Sequence, residues 1–260
     1  MELNILICGI GGQGAVFLGS FLRKFFLNQF PDSIIVGTES RGVSQREGSV
    51  VASIRIQTNP NPQTIFSPEI PPMAADIVIA LEPLELLRNF PVVQKNTIIL
   101  TNNEPIIPKS SVKWMFKNTT EKEASDVNSY SKPKWLIDRV ERLLEAIPVK
   151  SSRRKIALTT QSSESSIRNI QIQSLSNNPQ VVDLNFSTLV LEELGSSSQL
   201  NMVMLGFLSY YAKSLIQSKD LLDKKNEFFK KGKAMEVNKK AIQFGEELAK
   251  KYLELKSPSM

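Results

Sequence analysis

Histidine is absent from this sequence, and cysteine occurs once, at Cys8. The two absences remove much of the side-chain chemistry of a self-sufficient enzyme. An intrachain disulfide cannot form. An iron–sulfur cluster calls for about four thiolates, and a structural zinc site for a set of Cys or His ligands. Acid–base catalysis by imidazole and the Ser-His-Asp arrangement are excluded as well. No apolar run approaches the roughly 18–20 residues that a membrane helix needs. The first residues, MELNILIC, start as a strand and lack the basic stretch of a signal peptide. A cytoplasmic protein is expected. Cys8 closes an apolar run and reads as a plain core residue.

Charge is scarce in one sense: the formal net charge is only +6, and residues 213–256 carry nearly all of the excess, with twelve Lys against seven Asp or Glu. Lysines that alternate with acids are the usual solvated face of a helix. No stacked aromatic and basic pattern accompanies them, so nucleic acid is not an expected partner.

Glycine is also missing from a long stretch. All twelve lie outside residues 49–194. Within that stretch, residues 151–178 hold eight serines with charges mixed in and little periodicity. This reads as part of an exposed insert over about 109–180, with order or disorder left open. A solvated linker is the plainer reading of SSRR there, phosphorylation or RNA contact the alternative. Inside the insert, KWLIDRVERLLEAI (134–147) is amphipathic and predicts a helix.

Elsewhere the chain alternates strand and helix patterns. Apolar runs at 3–8, 34–39, 49–57, 75–83 and 96–102 read as strands. AVFLGSFLRKFF has a helical period, LELLRNF is a short helix, and QVVDLNFSTLVLEELGS is a strand followed by a helix that ends at Gly195. Residues 200–216 form a strongly apolar helix. The last helix places Val237, Ala241, Phe244, Leu248, Tyr252 and Leu255 on one face, to pack on the body or on another chain. Nearly continuous apolar strands that alternate with helices predict an α/β fold: three layers, with a mostly parallel Rossmann-like sheet covered on both faces, as a single domain over 1–260.

What the sequence does have is concentrated near the start. CGIGGQGAVFLG spends four glycines in the six residues 9–14, between a strand and a helix. Gly9, Gly11 and Gly14 match G-x-G-x-x-G. Glycines there permit a tight turn and a close backbone approach, and the helix start offers N–H groups to an anion. Glu39 stands twenty-five residues after Gly14, near where a ribose-binding acid belongs. A free-standing NAD(P)-binding oxidoreductase is therefore one reading, although no His and no Ser-x-x-x-Tyr-x-x-x-Lys proton donor follows. A tight turn with close packing is another. The loop ESRGVSQREGSVVASIRI carries two arginines, Gln45 and two glycines before a strand, and suits either anion contact or a polar turn at the sheet edge.

Taken together, GIGGQGAVFLGSFL, ESRGVSQREGSVVASIRI, ADIVIALEPLELLRN and LNMVMLGFL occur in the order seen in the gamma-type domain of 2-oxoacid:ferredoxin oxidoreductases, the pyruvate/ketoisovalerate oxidoreductase catalytic domain family. Within it the chain most resembles the beta subunit of indolepyruvate ferredoxin oxidoreductase. The resemblance covers about 1–108 and 181–250. It implies a subunit of a larger enzyme, not active alone, that takes part in oxidative decarboxylation of a 2-oxoacid to acyl-coenzyme A, with electrons passed to ferredoxin. It assigns thiamine diphosphate, Mg2+ and [4Fe-4S] clusters to a larger alpha subunit, and no cofactor to this chain alone. Coenzyme A is the acyl acceptor.

The positions that carry the resemblance are Gly9, Gly11, Gly12, Gln13 and Gly14, then Arg46, Gly48 and Ser49, then Glu82 and Pro83, then Asn201 and Gly206. The candidate ligand-contact set is Gly9, Gly11, Gly12, Gln13, Gly14, Arg41, Gln45, Arg46, Gly48 and Ser49, with the arginine forks facing phosphate. Two departures stand out: Ser40-Arg41-Gly42 where the family commonly has His-Gly, and Glu47 where a glycine usually follows the arginine. A diverged, non-enzymatic scaffold is the third reading.

Overall fold

The period-two pattern of the strands sets up two opposite apolar faces, and the chain covers them unequally. The computed structural model describes residues 2–42, 48–58, 67–106, 133–147, 181–213, 215–216, 218–222 and 233–256. Strands β1 (Glu2–Ile10), β2 (Ile34–Arg41), β3 (Ser49–Gln57), β4 (Ala75–Ala80), β5 (Val93–Asn102) and β6 (Val181–Leu184) form one sheet in the order β2-β3-β1-β4-β5-β6. The helices are α1 (Ala15–Gln29), α2 (Pro83–Arg88), α3 (Pro133–Ala146), α4 (Phe186–Leu194), α5 (Leu200–Tyr211), the single turn α6 (Ser218–Leu221) and α7 (Lys233–Lys256).

The expected three-layer α/β sheet is present, with one strand reversed. β4, β5 and β6 pair in parallel beyond β1, whereas β3 runs antiparallel to both β1 and β2. Five of the six strands thus point one way. The reversal follows from the short 42–48 connection. A parallel crossover takes a dozen or more residues, but antiparallel neighbours can be joined by a tight loop. β3 then occupies the slot beside β1, and β2 becomes an edge strand.

On one face Leu3, Ile5 and Ile7 of β1 line up with Ala52, Ile54 and Ile56 of β3 and with Ile77 and Ile79 of β4. Leu18, Phe21, Leu22 and Phe25 of α1, together with α4, α5 and α7, close this larger core. On the other face Leu6, Cys8, Val78, Ala80 and Ile99 meet Leu86 of α2 and Val140 and Leu144 of α3. Cys8 is fully buried, as its place in an apolar run requires.

α3 matches the helix expected over 134–147; the serine-rich remainder of the 109–180 insert lies outside the described residues. The face expected on α7 is met in part: Ala241 is buried and Phe244, Leu248 and Tyr252 pack against the core, but the most buried stripe lies to one side of it. Ala241, Ile242, Gly245 and Ala249 are buried, and Leu255 is 86% exposed. Small residues decide this. A side chain at Gly245 would strike the backbone of Val203 and Phe207, and one at Gly206 would strike the backbone of Ile242. Bare backbone on both helices lets α5 and α7 cross in contact, so the seam is centred on Ile242, Gly245 and Ala249, with Phe244, Leu248 and Tyr252 packed against the same core.

Candidate functional site at the carboxyl edge of the sheet

β1 runs straight into the glycine turn at the carboxyl end of the sheet. Leu81 donates its N–H to the Cys8 carbonyl at 2.8 Å, so β4 ends beside it. α1 leaves β1 toward one face and α2 leaves β4 toward the other. The gap between β1 and β4 is therefore a switch point, where open α/β sheets form their ligand crevice.

In this chain the crevice is bridged from within. The Gln13 side chain accepts from Ile10 N at 2.8 Å through Oε1 and donates to Leu81 O at 3.0 Å through Nε2. A Cβ on Gly9 would stand 2.7 Å from that Oε1, so Gly9 clears space for Gln13. Gly14 adopts φ +82 at the start of α1, and a Cβ there would overlap the Asn201 amide, which donates to Gly14 O at 3.4 Å. Gly11 N donates to Gly48 O at 2.9 Å, and Gln13 N to Ile10 O at 3.2 Å. The amides of Ile10, Gly11 and Gln13 are thus satisfied within the chain. Gly12, at φ +99, has open space where a side chain would stand. The α1 start carries no capping side chain and no acid in its first turn. Gly12 and the first turn of α1 are what this turn presents outward.

The structure brings Gly9, Gly11, Gly12, Gln13 and Gly14 together with Gly48 and Ser49. Arg41 is set apart from them on the edge strand, 68% exposed, with its guanidinium 3.9 Å from Glu39. Gln45, Arg46 and Glu47 lie outside the described residues. The ribose-binding reading of Glu39 does not hold in this geometry. β3 stands between β2 and β1, and the Glu39 carboxylate accepts from Arg23 at 2.7 Å and from Ser20 at 3.1 Å. An acid that serves a ribose must sit beside the glycine turn, and the intervening strand removes it by about two strand spacings of roughly 4.8 Å each.

Four residues with structural roles at this edge carried no assigned role at the level of sequence. Glu82 caps α2: its Oε2 accepts from Glu85 N at 2.8 Å, and its Oε1 accepts from Ile106 N at 3.3 Å. Burial pushes its carboxyl up to about 7, against the pull of those two amides, with smaller effects from Glu85, which raises it, and the Leu84 amide, which lowers it. Glu85, 1% exposed, accepts from the Ser49 hydroxyl at 2.5 Å and pairs with Arg88. The Cys8 thiol is pushed above its ordinary range by burial first, then by Glu85 and Glu82. Asn102 donates to Leu81 O at 3.3 Å and to Ser187 Oγ at 3.0 Å, and it accepts from Ser187 N at 3.1 Å, which ties β5 to the start of α4. Asn201 packs over Gly14. A signal was available for Glu82, since a polar residue before Pro at the first helical position marks a cap. For Asn102 there was none, because its partners lie 21 and 85 residues away.

The fold and this edge define a class: an open α/β domain whose glycine turn is braced by its own side chains and offers backbone to whatever meets it. The chain belongs to the pyruvate ferredoxin/flavodoxin oxidoreductase family, whose model matches residues 4–248. It is 37% identical over 110 residues to the indolepyruvate oxidoreductase subunit IorB of Archaeoglobus fulgidus, a match that covers 42% of this chain and 51% of that one. To the subunit of the same name from Methanothermobacter thermautotrophicus it is 35% identical over 112 residues, with the same two coverages. The chain spans about half the length of the curated relatives it matches. Its fold is similar to that of the gamma subunit of a keto/oxoacid ferredoxin oxidoreductase from Geobacter sulfurreducens, at TM-score 0.53 and 14% identity, over 96% of this chain and 98% of that chain. Among the described residues, no helix is long and apolar enough to cross a membrane.

Proposed function

We propose that this chain is the small, gamma-type subunit of a 2-oxoacid:ferredoxin oxidoreductase of the indolepyruvate type, a single domain over 1–260 that works in the cytoplasm with a larger alpha subunit. The observation that carries this reading is the family match across 4–248, which spans every strand from β1 to β6 and most of α7. The relatives named as indolepyruvate oxidoreductase subunits favour the indolepyruvate type over other members of the family.

The residue inventory agrees with a division of labour. One cysteine cannot ligate a cluster that needs about four thiolates, and Cys8 is buried. Thiamine diphosphate, which supplies the carbanion chemistry of decarboxylation, and the clusters belong on the partner in this reading. This chain contributes a rigid surface. Gln13, Asn201 and the Gly11–Gly48 bond hold the turn in one shape, so that Gly12 and the α1 start face the partner or the diphosphate of coenzyme A. In this reading Arg41, Gln45, Arg46 and Ser49 are the anion-contact set.

Co-expression with the large subunit encoded in the same genome tests the reading. A stable complex should form, and indolepyruvate- and coenzyme A-dependent reduction of a viologen dye should need both chains. Failure to associate, or turnover by this chain alone, overturns it.

A further inference from the structure

The Glu82 carboxylate joins two parts of the chain that are 24 residues apart. One oxygen closes the start of α2 by accepting from Glu85 N at 2.8 Å, and the other reaches out of the helix to Ile106 N at 3.3 Å. The first bond alone would be met by a shorter capping residue such as Asp or Ser. Two acceptors on a longer stem are what reach both. The segment so held begins at Asn102, whose amide meets the same Leu81 carbonyl that Gln13 holds. It carries Ile106, an apolar side chain left 38% exposed at the carboxyl edge.

We infer that Glu82 is a proton-operated tie: as a carboxylate it holds the Ile106 segment against the β4–α2 turn, and as a carboxylic acid it lets that segment go. A carboxylate offers acceptors on both oxygens, whereas the acid turns one of them into an O–H donor that meets an N–H donor. The longer bond, to Ile106, is the one given up. Among the described residues, two titratable groups face Glu82. Glu85, on its own helix, raises its proton affinity and is itself paired with Arg88; Cys8, on β1, has a thiol that both glutamates push up. Glu104, on the tied segment, is exposed. Burial brings the midpoint to about 7, so the change falls at neutral pH. The tie is internal to this chain and stands whatever docks on the edge.

Amide exchange of the full chain, read on peptides that contain Ile106 and corrected for intrinsic rate, tests it at pH 6 and pH 8. One pH unit on either side of the midpoint changes the ionised-to-protonated ratio about tenfold each way. Wild type should show severalfold greater protection at pH 8, and Glu82→Gln, which mimics the acid, should show the low value at both. Carbon-detected titration of wild type should place the Glu82 midpoint near 7, with the Ile106 amide shift following it. A midpoint near the ordinary carboxyl value, or equal protection of wild type at both pH values, overturns the inference even if the variant fails to fold. Retention of the pH 8 protection by Glu82→Gln overturns it too.

Discussion

β3 carries a polar residue at each end of the same face, Ser49 at the carboxyl edge and Arg55 at the amino edge, and the two ends are built differently. At the amino edge Arg55, 6% exposed, donates to Asn4 Oδ1 at 2.9 Å, to Glu2 at 2.5 Å, and to the carbonyls of Ser67 at 2.6 Å and Glu69 at 3.0 Å. Asp76 accepts from Asn4 N at 2.8 Å and from Gln94 at 3.1 Å. A cation sits amid the acids, and side chains from β1, β3, β4 and β5 close the network. At the carboxyl edge two glutamates are buried, Arg88 goes to Glu85 alone, and Glu82 rests on two backbone amides. Buried charge without a facing counter-charge shifts its protonation. The difference teaches that the amino edge is built to hold the fold, whereas the carboxyl edge keeps bare backbone and a titrating acid at the surface proposed above for docking.

The largest expected effect lies at the amino edge. Arg55→Met strips a buried cation from Glu2 and Asn4, and it should cost about 3–5 kcal/mol of unfolding free energy, read by urea denaturation. Partner association per folded molecule should not change; a selective loss of association would erase the contrast between the two ends.

Next comes Gly14→Ala. Left-handed backbone combined with overlap on Asn201 should cost about 2–4 kcal/mol and should also weaken association, because the turn loses its shape. An alanine variant with wild-type melting temperature and wild-type association would show that the brace across Gly14 is dispensable.

Glu82 gives a pH-dependent test. Its folded value, about 7, lies above the ordinary carboxyl value of 4.5. Between those values the folded state binds more proton than the unfolded state, so this group's contribution to stability falls as pH rises from 4.5 to 7 and stays low above it. The melting temperature of Glu82→Gln should come close to wild type at about pH 4 and exceed it by a few degrees at about pH 8. A constant difference across that range would remove the titrating acid from the comparison.

The smallest effect on stability belongs to Gly12→Ala, which meets open space and carries only backbone strain, about 1 kcal/mol. Its effect on association should be much larger than that cost. If association is unaffected, Gly12 is not at the docking surface.

Much of the fold was legible in the residues. The strands at 3–8, 49–57 and 96–102 follow from short apolar runs, and the helices at 15–26 and 134–147 from the 3.6-residue repeat, since both patterns report burial directly. The glycine turn followed from spacing. The reversed β3 did not, because an apolar run carries no sign of direction. The Glu39 assignment failed for the same reason: it presumed that the second strand lies beside the first. On α7 the period selects Ala241, Phe244, Leu248 and Tyr252, which do pack on the core, and misses Ile242, Gly245 and Ala249, which are buried because Gly206 and Gly245 set the close crossing.

By itself, then, the sequence determined the order of elements, the two-faced sheet, the lack of cluster ligands and the place of the glycine turn, all of which rest on local pattern or on composition. Tertiary structure alone decided that Gln13 reaches Leu81, that Asn201 covers Gly14, and that Glu82 holds Ile106 beside a buried Glu85. Hydrogen bonds of that kind join residues tens to nearly two hundred positions apart, and only the packing of the sheet and helices brings such groups within reach.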